Sequence, residues 1–151
     1  MPHTYAGVDE VVHAVGTRLG ETEWTEITQE QVNQFADATG DHQWIHVDVE
    51  RAKETPFGGT IAHGYFTLSL IPLLSRQVFG MEGFTFALNY GLNRVRFPSP
   101  MPVGQKVRCT VKVAEVQEIP GGAQTTMVMT LEREGGEKPV CVAETLVRAY
   151  G

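Results

Sequence analysis

Cysteine is scarce in this sequence. The two present, Cys109 and Cys141, show no C-x-x-C spacing and sit in strand-like segments. That argues against a disulfide framework or a thiolate metal site, and both read as small buried hydrophobes in a reducing cytoplasm. Basic charge is also short: 12 Lys and Arg stand against 18 Asp and Glu, a net charge of −6. Nucleic acid is a poor main partner for such a chain, because phosphate backbones are bound by basic surfaces. One anionic ligand in a local basic pocket is still compatible. Long apolar runs are missing. The longest, Tyr65 to Leu74, includes Thr67, Ser69 and Pro72 and is too short to span a bilayer. The opening MPHTYAGVDE has no basic or apolar signal-peptide region. There is no G-x-G-x-x-G, phosphate loop or G-x-S-x-G elbow, so dinucleotide, phosphoryl-transfer and serine-hydrolase chemistry find no support.

What is there suits one domain, residues 1–151, large enough to bury a core. Residues 7–16 form a short helix with Val8, Val11, Val12 and Val15 on one face, so residues 1–20 read as an N-terminal helical extension. Gly16 and Gly20 bracket a turn. Residues 22–27 read as a strand with Trp24 inward. Thr28 then caps a helix, with Gln31 completing a capping box, Val32, Phe35 and Ala36 buried, and Gly40 as the left-handed stop. Asp48 caps a further short helix through Lys53. Pro56, Gly58 and Gly59 force an irregular connection. An apolar helix starts near His63 or Gly64 and runs to about Val78, kinked at Pro72. From residue 84 the period becomes two, giving strands over 84–97, 105–118, 123–134 and 139–150. The plan is α+β: a long helix wrapped by a curved antiparallel sheet. Open strand edges would suit a second copy.

The chemistry concentrates in residues 35–74. Asp41 and His46 lie in the loop between the Gly40 stop and the Asp48 cap, and Gly64 opens the apolar helix. An acid, a neutral base and a free helix-start amide are the means to move protons beside a carbonyl that must accept negative charge. Asp41 as a turn cap and His46 as a satisfied polar residue is the plainer alternative, and Gly64 also permits tight helix–sheet packing. His63 caps or packs near the helix start. His42, His46 and His63 with Asp41 and Asp48 resemble a metal cluster, but Gly40 argues against the helix that would put His42 and His46 on one face. Arg94, Arg96, Lys106 and Arg108 suit carrier phosphates, or equally a solvated strand face. Asn89-Tyr90-Gly91 marks a bulge or a backbone approach to ligand.

FADATGDHQWIHVD, then GGTIAHGYFTLSLIPLL, then NYGLNRVRFPSPMPVG resemble the MaoC-like dehydratases, the (R)-specific enoyl-CoA hydratases, and in particular their single-domain bacterial members of the nodulation protein N type. The resemblance covers roughly residues 20–150. It implies a hot-dog fold, a homodimer, and reversible syn hydration of a trans-2-enoyl-CoA to the (3R)-hydroxyacyl-CoA, with an acyl-carrier-protein substrate equally open. Asp41 and His46 match the catalytic pair, and Gly64 matches the amide that binds the thioester oxygen. Ile61, Ala62, His63, Asn89, Tyr90, Gly91 and Arg96 are the expected substrate contacts. Where some members place a helix serine, this chain has Pro72. No metal or cofactor is implied, because the thioester already acidifies the α position. A hot-dog thioesterase and a non-catalytic acyl-CoA binder are the competing readings.

Overall fold

The computed structural model describes residues 2–151. Its elements are β1 (His3–Tyr5), α1 (Val8–His13), β2 (Arg18–Glu21), β3 (Thr25–Glu26), α2 (Gln29–Thr39), α3 (Trp44–Val47), α4 (Val49–Ala52), α5 (Gly64–Ser69), α6 (Ile71–Ser75), β4 (Phe79–Met81), β5 (Phe86–Arg96), β6 (Lys106–Ile119), β7 (Gly122–Arg133) and β8 (Cys141–Tyr150).

The four long strands fall where the period-two runs place them. They build an antiparallel sheet in the order β2-β6-β7-β8-β5, with β3 also on β6. Alternation decides its inner face. On β6, Val107, Cys109, Val111 and Val113 are fully buried, while Arg108, Thr110 and Lys112 between them are half-buried or exposed. Val111 stands opposite Met129 and Val113 opposite Met127. Leu131 lies between the two cysteines, paired with Cys109 on one side and Cys141 on the other. Both thiols are free and buried. Burial pushes Cys109 up to about 12 and Cys141 up to about 11, so neither is a nucleophile near neutrality.

The helical layer departs from expectation in one important respect. The long apolar helix is two short ones, α5 and α6, meeting at Leu70. Pro72, in the first turn of α6, has no N–H to give to the turn before it, which breaks the ladder there. The chain leaves the helix at Ser75, before Val78. α5 packs on β8 and α6 on β6, with Phe66, Ile71 and Leu74 in the core.

Residues 1–20 are more than a helical extension. β1 pairs in parallel with β4, and β2 pairs with β6. Gly20, expected in a turn, lies in β2. Of the valines expected on one face of α1, Val11 is buried while Val12 and Val15 are exposed; the Val8 side chain lies outside the described residues. The strand expected over 22–27 shrinks to β3. Trp24 is half-buried, not inward: its ring lies 4.4 Å from the Arg108 guanidinium, which Glu132 holds at 2.6 Å. Ile27 takes the core position.

β5 forms one edge of the sheet. A bulge at Tyr90 shifts its register between Asn89 and Gly91, as the Asn-Tyr-Gly run suggested. Phe86, Leu88, Tyr90 and Leu92 on it are 41–55% exposed. A cavity of about 630 Å³ lies between β5 and the α5–α6 pair, lined by Leu68, Ile71, Pro72, Leu88, Asn89 and Leu92 among others. Among the described residues no helix is long and apolar enough to cross a membrane.

Candidate active site

Two helix ends create the site. Thr28 caps α2, accepting from Gln31 N–H at 3.2 Å while Gln31 Oε1 accepts from Thr28 N–H at 3.0 Å. Gly40 ends α2 in the left-handed conformation (φ 85°), its N–H bonded to Ala36 O. This releases Asp41 into the next loop. Asp41 Oδ1 accepts from Gln43 N–H at 3.3 Å, so it does cap a turn; the carboxylate is exposed. The loop expected over Asp41–Val47 then winds into the single turn α3, which carries His46 inward at 7% exposure.

His46 is oriented from both ends. Its Nδ1 lies 2.7 Å from Ile61 O. A carbonyl only accepts, so Nδ1 carries the proton and Nε2 of the neutral ring keeps its lone pair. Its own carbonyl accepts from Gln29 Nε2 at 2.8 Å, and Gln29 Oε1 accepts from Thr60 Oγ1 at 2.6 Å. Burial pulls the His46 proton affinity below the ordinary imidazole value; the neighbouring His63 adds to this, while the Ile61 bond and Asp41 oppose it. The ring is therefore held neutral, the form a base must have.

The 60–63 segment closes the site against the sheet end. Ile61 N–H donates to Ile45 O, Ala62 N–H to Met101 O, and Val103 N–H to Thr60 O. His63 is 2% exposed and stacks on His46 with ring centroids 4.0 Å apart and planes inclined by 29°. Its Nε2 lies 2.9 Å from Asp41 O. A carboxylate oxygen of Asp41 and a ring nitrogen from each of His46 and His63 fall within 4.8 Å of one another. Near-parallel rings make a poor chelate. His42 and Asp48, also weighed as ligands, point elsewhere: His42 pairs with Asp37 at 2.9 Å, and Asp48 caps α4 through Arg51 N–H at 3.1 Å.

Gly64 is the first residue of α5, so its N–H has no partner within the helix ladder. A Cβ there would meet the Phe97 ring at 3.0–3.1 Å. The close approach that glycine permits here is already made by Phe97.

A profile of the MaoC-like domain matches residues 10–134. This chain belongs to the MaoC-like dehydratase family. Among the relatives of this MaoC-like protein, the 3-hydroxyacyl-thioester dehydratase Z of Mycobacterium tuberculosis is 53% identical over 146 residues, spanning 96% of this chain and 97% of its own. Nodulation protein N of Rhizobium leguminosarum bv. viciae is 44% identical over 140 residues, covering 89% and 85%. The structure of R-hydratase PhaJ1 from Pseudomonas aeruginosa superposes with a TM-score of 0.76 at 24% identity, over 97% of this chain and 86% of that one. The fold is the hot-dog fold, with its helix broken at Leu70.

Of the residues singled out from sequence, this MaoC-like chain brings Asp41, His46, Ile61, Ala62, His63 and Gly64 together. Among the described residues no bond joins the β5 candidates to that group, although Arg96 directly precedes Phe97, whose ring lies against Gly64. Asn89 lines the cavity under α5 and α6, Tyr90 lies beneath the Arg148 guanidinium at 3.5 Å, Gly91 closes the bulge, and exposed Arg96 bonds its own neighbour's carbonyl, Val95 O. The four cations do not form one cluster. Arg94 and Arg96 lie on β5, Lys106 and Arg108 on β6, with β7 and β8 between. Arg108 is occupied by Glu132 and Glu21.

Sequence reasoning did not find Gln29, Thr60, Phe35 or Phe97. Gln29 and Thr60 act through backbone and side-chain bonds formed only on folding. Phe35 was placed in the α2 core stripe, where its ring also meets His63 at 4.9 Å. Phe97 carries no local signal beyond following Arg96.

Proposed function

We propose that this protein interconverts trans-2-enoyl-CoA and (3R)-hydroxyacyl-CoA by adding and removing water, with Asp41 and His46 as the acid–base pair and Gly64 N–H as the oxyanion donor. The observation that carries the reading is the His46 tautomer. The Ile61 carbonyl leaves Nε2 basic in a buried ring grouped with the Asp41 carboxylate and with His63, and His63 directly precedes Gly64, the first residue of α5. The names of the 53%-identical and other relatives, dehydratases of hydroxyacyl thioesters, support the same class.

In the hydration direction, His46 Nε2 takes a proton from water as the oxygen adds to C3. Negative charge moves to the thioester oxygen, where the Gly64 amide and the helix start stabilise the enolate. A proton is then returned to C2 from the pair. Asp41 orients the water and shares the proton. Dehydration runs the same steps backwards. The thioester supplies the acidity, so the residues present need no added cofactor to perform it. The cavity under α5 and α6 would take the acyl chain. The apolar residues exposed on the β5 edge fit a homodimer paired along that strand. The same chemistry serves an acyl group carried on an acyl-carrier protein.

The test is loss of enoyl-thioester absorbance with crotonyl-CoA, followed by chiral analysis of the product. Asp41→Asn and His46→Gln should each lower turnover by at least about 100-fold with the fold intact. Release of free CoA would indicate a thioesterase instead. Binding without turnover would indicate an acyl-CoA carrier module.

A further inference from the structure

We infer that His63 is a positioning residue that fixes the span between the Asp41–His46 pair and the Gly64 amide; the inference rests on the function proposed above. Acid–base chemistry occurs at one end of the enoyl thioester and charge accumulates at the other. The two ends must therefore be held at a set separation, although Asp41 and Gly64 come from different elements. His46 ties its own turn to Ile61; among the described residues, His63 is the side chain that ties the residue beside Gly64 to Asp41 itself.

Its backbone belongs to the oxyanion end. His63 directly precedes Gly64 as the cap residue of α5, and its carbonyl accepts from both Thr67 N–H at 3.1 Å and Thr67 Oγ1 at 3.2 Å. Thr67 is buried, so His63 moves with the helix. Its side chain belongs to the acid–base end. Nε2–H donates to the main-chain oxygen of Asp41 at 2.9 Å, closing a loop of 22 residues in sequence. Because the bond lands on the backbone, it sets the position from which the carboxylate projects without engaging the carboxylate, whose Oδ1 accepts from Gln43 N–H. The imidazole face then bounds His46 at 4.0 Å, while Phe35 closes around His63 at 4.9 Å.

The bond has a cost that a packing role would not incur. With Nε2 protonated, Nδ1 is the lone-pair nitrogen, and it is buried without a partner. A phenylalanine would stack in the same slot without burying an unpaired acceptor. What histidine adds over an apolar ring is the link to Asp41.

Three substitutions separate the link from the packing. A glutamine amide reaches about as far as Nε2, an asparagine amide only about as far as Nδ1, and phenylalanine keeps the ring without a donor. Turnover of crotonyl-CoA in His63→Asn and His63→Phe should fall about 10- to 100-fold, the scale of a misplaced reacting group, through kcat with KM nearly constant. His63→Gln should restore most of that loss. Hydrogen exchange at the amides of residues 41–43 should quicken in the Asn and Phe variants and not in the Gln variant. The Asn–Gln comparison stands alone if the Phe variant does not fold. Equal kcat and equal exchange in the Asn and Gln variants would overturn the inference, as would wild-type kcat in folded His63→Phe. If the wild type turns over no enoyl thioester, the function reading fails. The exchange difference then still decides whether His63 holds Asp41.

Discussion

The two stacked imidazoles differ in what their nitrogens can do. His46 gives Nδ1–H to Ile61 and keeps the lone pair on Nε2, whereas His63 gives Nε2–H to Asp41 and keeps a buried, unpaired Nδ1. Burial, assisted by His63, lowers the His46 value from its ordinary 6.5. A lowered value means protonation only at lower pH, so the acid limb of kcat/KM should fall below 6.5. A kcat/KM profile across that limb checks this; a limb above 6.5 would point to another base. By the same sign, His46 contributes stability above the unfolded imidazole value that is lost as pH falls through the lower folded one. Gly64 carries a second residue-scale prediction. Gly64→Ala should reduce turnover, and the first obstacle its Cβ meets is the Phe97 ring. Partial recovery of kcat is therefore expected in Gly64→Ala/Phe97→Leu, and no recovery would shift the conflict to the thioester itself. The placement of Asp41 after a helix stop and of Gly64 at a helix start was legible in sequence because the Gly40 stop and the α5 start follow local rules. Phe97 was not, since its contact with Gly64 spans the sheet end.

At the scale of elements, α2 is the support of the site. It holds Gln29 under the His46 carbonyl and Phe35 against His63. Its capping box fixes where it begins, so Thr28→Ala should cost about 1 kcal/mol in denaturant unfolding, with activity lost in parallel as the Gln29 end frays. Caps and long strands could be read from sequence because their rules are local: Thr28 with Gln31, Gly40, and the alternation of β6. The short strands β1, β2 and β4 could not. Each exists only because a partner far along the chain completes it, as Phe79–Met81 does for His3–Tyr5. Pro72 was read as a kink in one helix. In the fold it separates two, because the missing Pro72 N–H removes one bond of the ladder, although Leu70 still donates to Thr67 O and accepts from Leu74 N–H.

At the scale of the whole molecule, the sheet is unequal at its edges. β2 and β3 cover one side of β6, while β5 ends the other with four large apolar side chains exposed. Leu88→Glu, placing a charge in the middle of that strand, should convert the proposed homodimer to a monomer in size-exclusion chromatography with light scattering. It should also impair turnover, since Leu88 lines the cavity. A monomeric wild type would remove the β5 pairing. The two cysteines add a property of their own. They lie on strands either side of Leu131, in the middle of the sheet. No thiol reagent can reach them until the core packed on that face of the sheet opens. Their modification rate is thus a clock for the rarest opening of the fold, and a folded molecule keeps both thiols reduced under oxidants that would consume a surface cysteine.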